Sequence, residues 1–199
     1  MNMADTDIKA QWKSFEDSCR NCRACGLAST RTNVVISRGA KNAPLMLIGE
    51  APGRDEDIKG LPFVGRSGQL LQNLLASYGL KEKDYHICNI VKCRPPENRR
   101  PEPSEIAACK KLLAQQFALV KPKVIVLLGS TAYEAFYGDK PVMRDVRGTF
   151  VERKGYYIMT TFHPAFALRN EKMKIPIYED MGKVRKKLEE LGLIESLED

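Results

Sequence analysis

No stretch of the chain approaches the roughly 20 consecutive apolar residues that a membrane-spanning helix requires, so a transmembrane protein is not expected. The opening segment MNMADTDIKAQWKSFEDSC has no apolar signal core, and export is not expected either. Internal repeats, low-complexity tracts and long linkers are lacking too, which points away from a disordered tail. What is present suits a soluble, cytoplasmic globular protein of 199 residues, 43% apolar and 29% charged, read as one domain over 1–199. A chain of that length buries a core without disulfide staples. Its net charge of +7 is a modest lean, 32 basic residues against 25 acidic ones, and admits a polyanionic partner. Nothing in the pattern demands a protein partner, and a monomer is expected. Six cysteines without a secretion signal favour metal or redox chemistry over disulfides.

Strand-like and helix-like patterns alternate along the chain. Leu45 to Gly49 lie in a short apolar run that ends in glycine and proline, as a buried strand would. A loop over 50–66 follows. Leu70, Leu71, Leu74, Leu75 and Tyr78 then recur at helical spacing, with Ser67 placed to cap that helix and Gly79 to end it. Residues 85–91 predict a second strand, and a turn-rich stretch leads into a helix from Pro103 or Ser104. Val124 to Leu128 predict a third strand, closed by Gly129-Ser130. Residues 150–151 and 156–160 predict two more, across Lys154-Gly155. Ile177, Met181, Val184, Leu188 and Leu191 mark a last amphipathic helix. This alternation predicts an α/β fold around a parallel sheet between helical layers, with ligands gathering at the carboxyl ends of the strands. The loops after Ile48, Ile90 and Met159 leave at that end.

Cys22 and Cys25, two residues apart, can join the remote Cys93 and Cys109 in a four-sulfur site. Spacing alone does not separate zinc from a [4Fe-4S] cluster, and four reduced buried thiols are the plainer alternative. Cys19 has the same spacing to Cys22 and competes for the pair, while Cys88 reads as a small core residue. Gly49-Glu50-Ala51-Pro52-Gly53 shapes a tight loop that a ligand could approach closely. Phe63, set between turn residues, is either a loop plug or a face for stacking a planar base. His163, one of two histidines, is held by Pro164 at a strand end inside the expected crevice.

Together these pieces resemble the family 4 uracil-DNA glycosylases, the iron–sulfur branch of the uracil-DNA glycosylase superfamily. The matching stretches are CRACGLASTR from Cys22, GEAPGRDED from Gly49, GLPFVGRSGQLL from Gly60, NIVKCRPPENR from Asn89 and HPAFALRN from His163. The resemblance implies a three-layer α/β/α fold with a four-stranded, mainly parallel sheet. It also implies a [4Fe-4S] cluster on Cys22, Cys25, Cys93 and Cys109, and uracil-containing DNA as substrate, with hydrolysis of the N-glycosidic bond. On that reading Gly49, Glu50, Ala51, Phe63, Asn89 and His163 form the uracil pocket, and His163 stabilises the departing base. Glu50 and Glu56 are the carboxylate candidates for activating water; Glu56 could equally be a solvated loop acid. Arg66, Lys92, Arg94, Phe166, Leu168 and Arg169 are candidates for holding distorted DNA. The rival readings are a non-catalytic, metal-stabilised nucleic-acid-binding module and a glycosylase for another deaminated base such as hypoxanthine.

Overall fold

The computed structural model describes residues 3–196. In chain order its main elements are α1 (Met3–Arg20), β1 (Arg38–Gly39), β2 (Leu45–Gly49), α2 (Arg54–Lys59), α3 (Arg66–Ser77), β3 (Tyr85–Asn89) and α4 (Pro103–Val120). They continue with β4 (Val124–Leu128), α5 (Ser130–Tyr137), α6 (Met143–Val146), β5 (Phe150–Arg153), β6 (Tyr156–Thr161), α7 (Pro164–Arg169) and α8 (Lys174–Glu190).

The strands form one sheet in the order β1-β3-β2-β4-β6-β5. The inner four run parallel, and each edge strand pairs antiparallel to its neighbour. The sheet therefore has six strands, not the four that the resemblance implied. Four is the number of parallel core strands, whose apolar residues are buried. Of the two added edges, β5 includes the strand expected at residues 150–151, whereas β1, with two residues, carries little signal.

One residue row crosses the core as Ile87, Leu47, Val126 and Met159. On that face lie Leu71 and Leu75 of α3 with Met181, Val184 and Leu188 of α8. The alternate residues Met46, Ile48, Ile125 and Leu127 point the other way, onto Cys109 and Leu113 of α4 and Ala132 of α5. Period-two alternation thus splits each strand between two helical layers. Each fully buried Leu or Ile contributes about 1.5–3 kcal/mol. A satellite cluster of Trp12, Phe15, Cys19 and Val120 fixes α1 against α4.

Three segments differ from their expected form. The expected loop over 50–66 contains the short α2, and the loop after His163 contains α7, whose first turn begins with Pro164. Helix α3 is capped at Gly65 rather than Ser67; Gly79 lies just beyond its end with φ +64°, the left-handed value a terminating glycine takes. Among the described residues no helix is long and apolar enough to cross a membrane.

Candidate active site

Parallel strands deliver their carboxyl ends to one side of the sheet, and there Gly49 of β2 lies directly beside Asn89 of β3. The glycine is required by space. A Cβ at position 49 would lie 2.4 Å from Asn89 Oδ1 and 2.6 Å from the Phe63 ring. Phe63 holds a left-handed φ of +55° that phenylalanine rarely adopts, and its ring stacks on His163 at 5.6 Å and 26°. Gly68 of α3 lets the Phe63 backbone settle against the helix, since a Cβ there would meet the Phe63 carbonyl oxygen at 1.9 Å. Glu56 fixes the same loop. Its carboxylate accepts backbone N–H bonds from Val64 and Gly65, both at 2.9 Å, and from Gly53 at 3.1 Å. This carboxylate is buried and engaged with the backbone, so of the two readings the solvated loop acid is the one its burial disfavours.

Asn89 is 2% exposed, and its Oδ1 has no hydrogen-bond partner, the one such buried side-chain atom among the described residues. A buried orphan acceptor costs about 1–3 kcal/mol, so its persistence points to a ligand donor. His163 caps α7 by accepting the Ala165 N–H at Nδ1, 3.1 Å away. Burial first, and the Arg169 cation second, push its pKa down to about 4. The ring is therefore neutral at pH 7, and because Nδ1 accepts, its proton sits on Nε2. Glu50 shares a cavity with His163, Ser130, Asn98, Phe166 and Arg169, about 1260 Å³ including the part open to solvent. One Glu50 oxygen accepts the hydroxyl hydrogen bond of Thr131. Ala51 follows, half-buried against the α4 side of the sheet.

A second cavity is lined by Cys22, Cys25, Cys93 and Cys109, together with Cys19 and Arg31. Arg31 donates to Cys93 Sγ at 3.2 Å and to the Cys22 carbonyl at 2.9 Å, tying the N-terminal pair to the remote thiol. Burial raises the Cys93 thiol pKa, with Arg31 opposing, and pushes Cys109 to about 11 and Cys19 to about 12. Cys88 lies apart, inside the core on β3. Among the described residues no three His, Cys, Asp or Glu side chains are gathered as ligands of one metal ion.

Residues 36–188 match the family model described as Uracil DNA glycosylase superfamily. The chain is 42% identical to the type-4 uracil-DNA glycosylase of Thermotoga maritima, over 87% of its own length and 92% of that protein. It belongs to the type-4 uracil-DNA glycosylases. The counterpart from Archaeoglobus fulgidus is 39% identical, covering 86% and 92% of the two chains, and that from Saccharolobus solfataricus 42%, covering 86% and 84%.

In this uracil-DNA glycosylase, a DNA-repair enzyme, the basic and apolar residues singled out from sequence have unequal positions. Arg66, Phe166 and Arg169 are exposed, Leu168 is half-buried, and Arg94 is partly buried with its Nε on Asn98 Oδ1 at 2.7 Å. Lys92 corrects its expected role. It is 1% exposed, and its ammonium donates to the Asn89 carbonyl and to Gln116 Oε1, so it cannot reach a DNA phosphate. Sequence reasoning missed Thr131 and Asn98. Thr131 follows the Gly129-Ser130 pair that closes β4, a fourth strand end on the same side of the sheet, and that position was its available signal.

Proposed function

We propose that the glycosylase reads uracil through Asn89 and Phe63, and cleaves it with Glu50 and His163. The observation that carries this reading is the unpartnered Asn89 Oδ1, buried beside Phe63 and Gly49. A base inside duplex DNA is out of reach, so it must rotate into the pocket. There the uracil N3–H would fill the vacant acceptor, while the Phe63 ring offers a stacking face and its bulk disfavours the C5 methyl of thymine. Cytosine has no hydrogen at N3 and would leave Oδ1 unpaired, a loss of about 1–3 kcal/mol.

As the bond between C1′ and N1 breaks, its electron pair stays with the uracil. His163 Nε2–H would donate to uracil O2 and stabilise that anion, acting as a neutral donor. Water adds to C1′ through its oxygen, and the Glu50 carboxylate takes the proton released. The departing uracil anion takes a proton from solvent, and the products are free uracil and an abasic site. Glu56 serves the loop that carries Phe63, through its three backbone bonds. Arg66, Arg94 and Arg169 would contact phosphates, and Phe166 with Leu168 would hold the distorted duplex.

Cys22, Cys25, Cys93 and Cys109 would hold the [4Fe-4S] cluster. Four thiols on one cavity, with a guanidinium donating to one sulfur, suit that group. When bound it supplies cross-linking of the N-terminal segment to the α4 side; hydrolysis needs no electron transfer. The test is a single-turnover panel of uracil-, thymine- and hypoxanthine-containing oligonucleotides, scored for abasic sites. Abasic sites from uracil alone are expected. Comparable release of hypoxanthine would overturn the assigned base reading.

A further inference from the structure

We infer that Thr131 is a positioning residue for the glycosylase reaction, acting through Glu50; the inference rests on the reading of Glu50 as the group that takes the proton of water. Thr131 lies on the first turn of α5 and is 3% exposed. Its hydroxyl donates to Glu50 Oε2, and among the described residues no other side-chain or backbone donor is bound to that carboxylate. A glutamate has three side-chain torsions, and this one leaves β2 through a glycine-rich turn. Thr131 is the contact that selects one orientation. With Oε2 engaged, Oε1 keeps its lone pairs for a water in the cavity shared with His163.

The donor itself is rigidly placed. Gly129, the residue before α5, has φ +94° and donates its N–H to the Thr161 carbonyl at 2.8 Å. A Cβ at position 129 would lie 3.0 Å from His163 Cβ. The turn that carries Thr131 is thus locked to the strand end that carries His163. One short segment sets the spacing between the carboxylate and the imidazole. A misplacement on the order of 1 Å costs about 10²-fold in rate, so this is where a remote hydroxyl can matter.

The experiment is a double-mutant cycle in single-turnover cleavage of uracil DNA, with Kd for the DNA and Tm measured on every variant. Thr131→Val keeps the shape and removes the donor. It should slow cleavage about 10–100-fold with Kd and Tm near the parent's, and Thr131→Ser should restore most of the rate. In a Glu50→Gln background, Thr131→Val should cost nothing further. Should valine lower Tm, Thr131→Ala makes the same comparison without the added methyl. Parental cleavage by both Thr131→Val and Thr131→Ala overturns the inference while leaving the Glu50 reading intact, as does an effect that simply adds to that of Glu50→Gln. If Glu50→Gln cleaves at the parental rate while Thr131→Val is slow, the Glu50 reading has failed and the inference falls with it.

Discussion

At the scale of single residues, the proposed chemistry rests on a histidine that never needs a charge. His163→Ala should leave DNA binding nearly unchanged and slow base release by about 10²–10³-fold, the usual cost of one transition-state donor. Single-turnover rates paired with a Kd at fixed salt check this, and an unchanged rate would return the histidine to a structural role. The same side chain makes a stability prediction. Its pKa is depressed from 6.5 to about 4 in the fold, so between those values the unfolded chain binds a proton that the native state refuses. Native stability is therefore lost as pH falls through this window, by about 1.4 kcal/mol per pH unit. In urea titrations at pH 6.5, 5.5 and 4.5, His163→Ala should show a slope flatter by about 1 kcal/mol per pH unit, below the limiting value because one state is partly protonated at each end of the window. Lys92 shows how far a residue type alone can mislead. A lysine in a basic chain reads as surface charge, and only the Asn89 carbonyl and Gln116, brought together by the fold, reveal it as a buried strut.

At the scale of elements, legibility followed apolar pattern. Val124–Leu128 was readable to the residue because a β-branched run bounded by glycine leaves few alternatives. Helix α2 was not, because Arg54–Lys59 has no apolar stripe, and its buried side chains are the carboxylates Glu56 and Asp57. Glu56 is held by N–H groups of its own loop, whereas Asp57 depends on N–H groups far along the chain, accepting from Thr32 at 2.9 Å and Asn33 at 3.2 Å. The edge strand β1 depends wholly on pairing with β3. At the candidate site, the Gly49, Asn89 and His163 motifs were legible, whereas the Thr131 contact and the loop-locking role of Glu56 arise only where the fold brings separate segments together. Glu56→Gln tests the latter. A neutral amide offers one acceptor where three N–H groups need satisfying, so stability should fall by about 2 kcal/mol, read in denaturant melts. Uracil cleavage should fall with it as Phe63 loosens. Full activity at lowered stability would separate the loop from the chemistry.

At the scale of the whole molecule, the cysteine cavity joins the chain's beginning to its middle. Protein purified without oxygen should carry about four irons per chain with matching acid-labile sulfide. Cys93→Ser should lose both, while Cys88→Ser, altering a core position outside the cavity, should keep them. Stoichiometric zinc without iron would overturn the cluster assignment. The closure has a further consequence. Helix α1 is held to α4 by a small apolar cluster and, on the proposed reading, by the iron–sulfur cluster that Cys22, Cys25, Cys93 and Cys109 would hold. Exposed Arg20 and Arg23 flank that attachment. Stripping the iron should leave the central sheet folded yet open the segment around these arginines to trypsin, giving one early cut near residues 20–23 and a persistent large fragment. The site of that first cut would thereby report whether the four thiols still hold the N-terminal segment to α4.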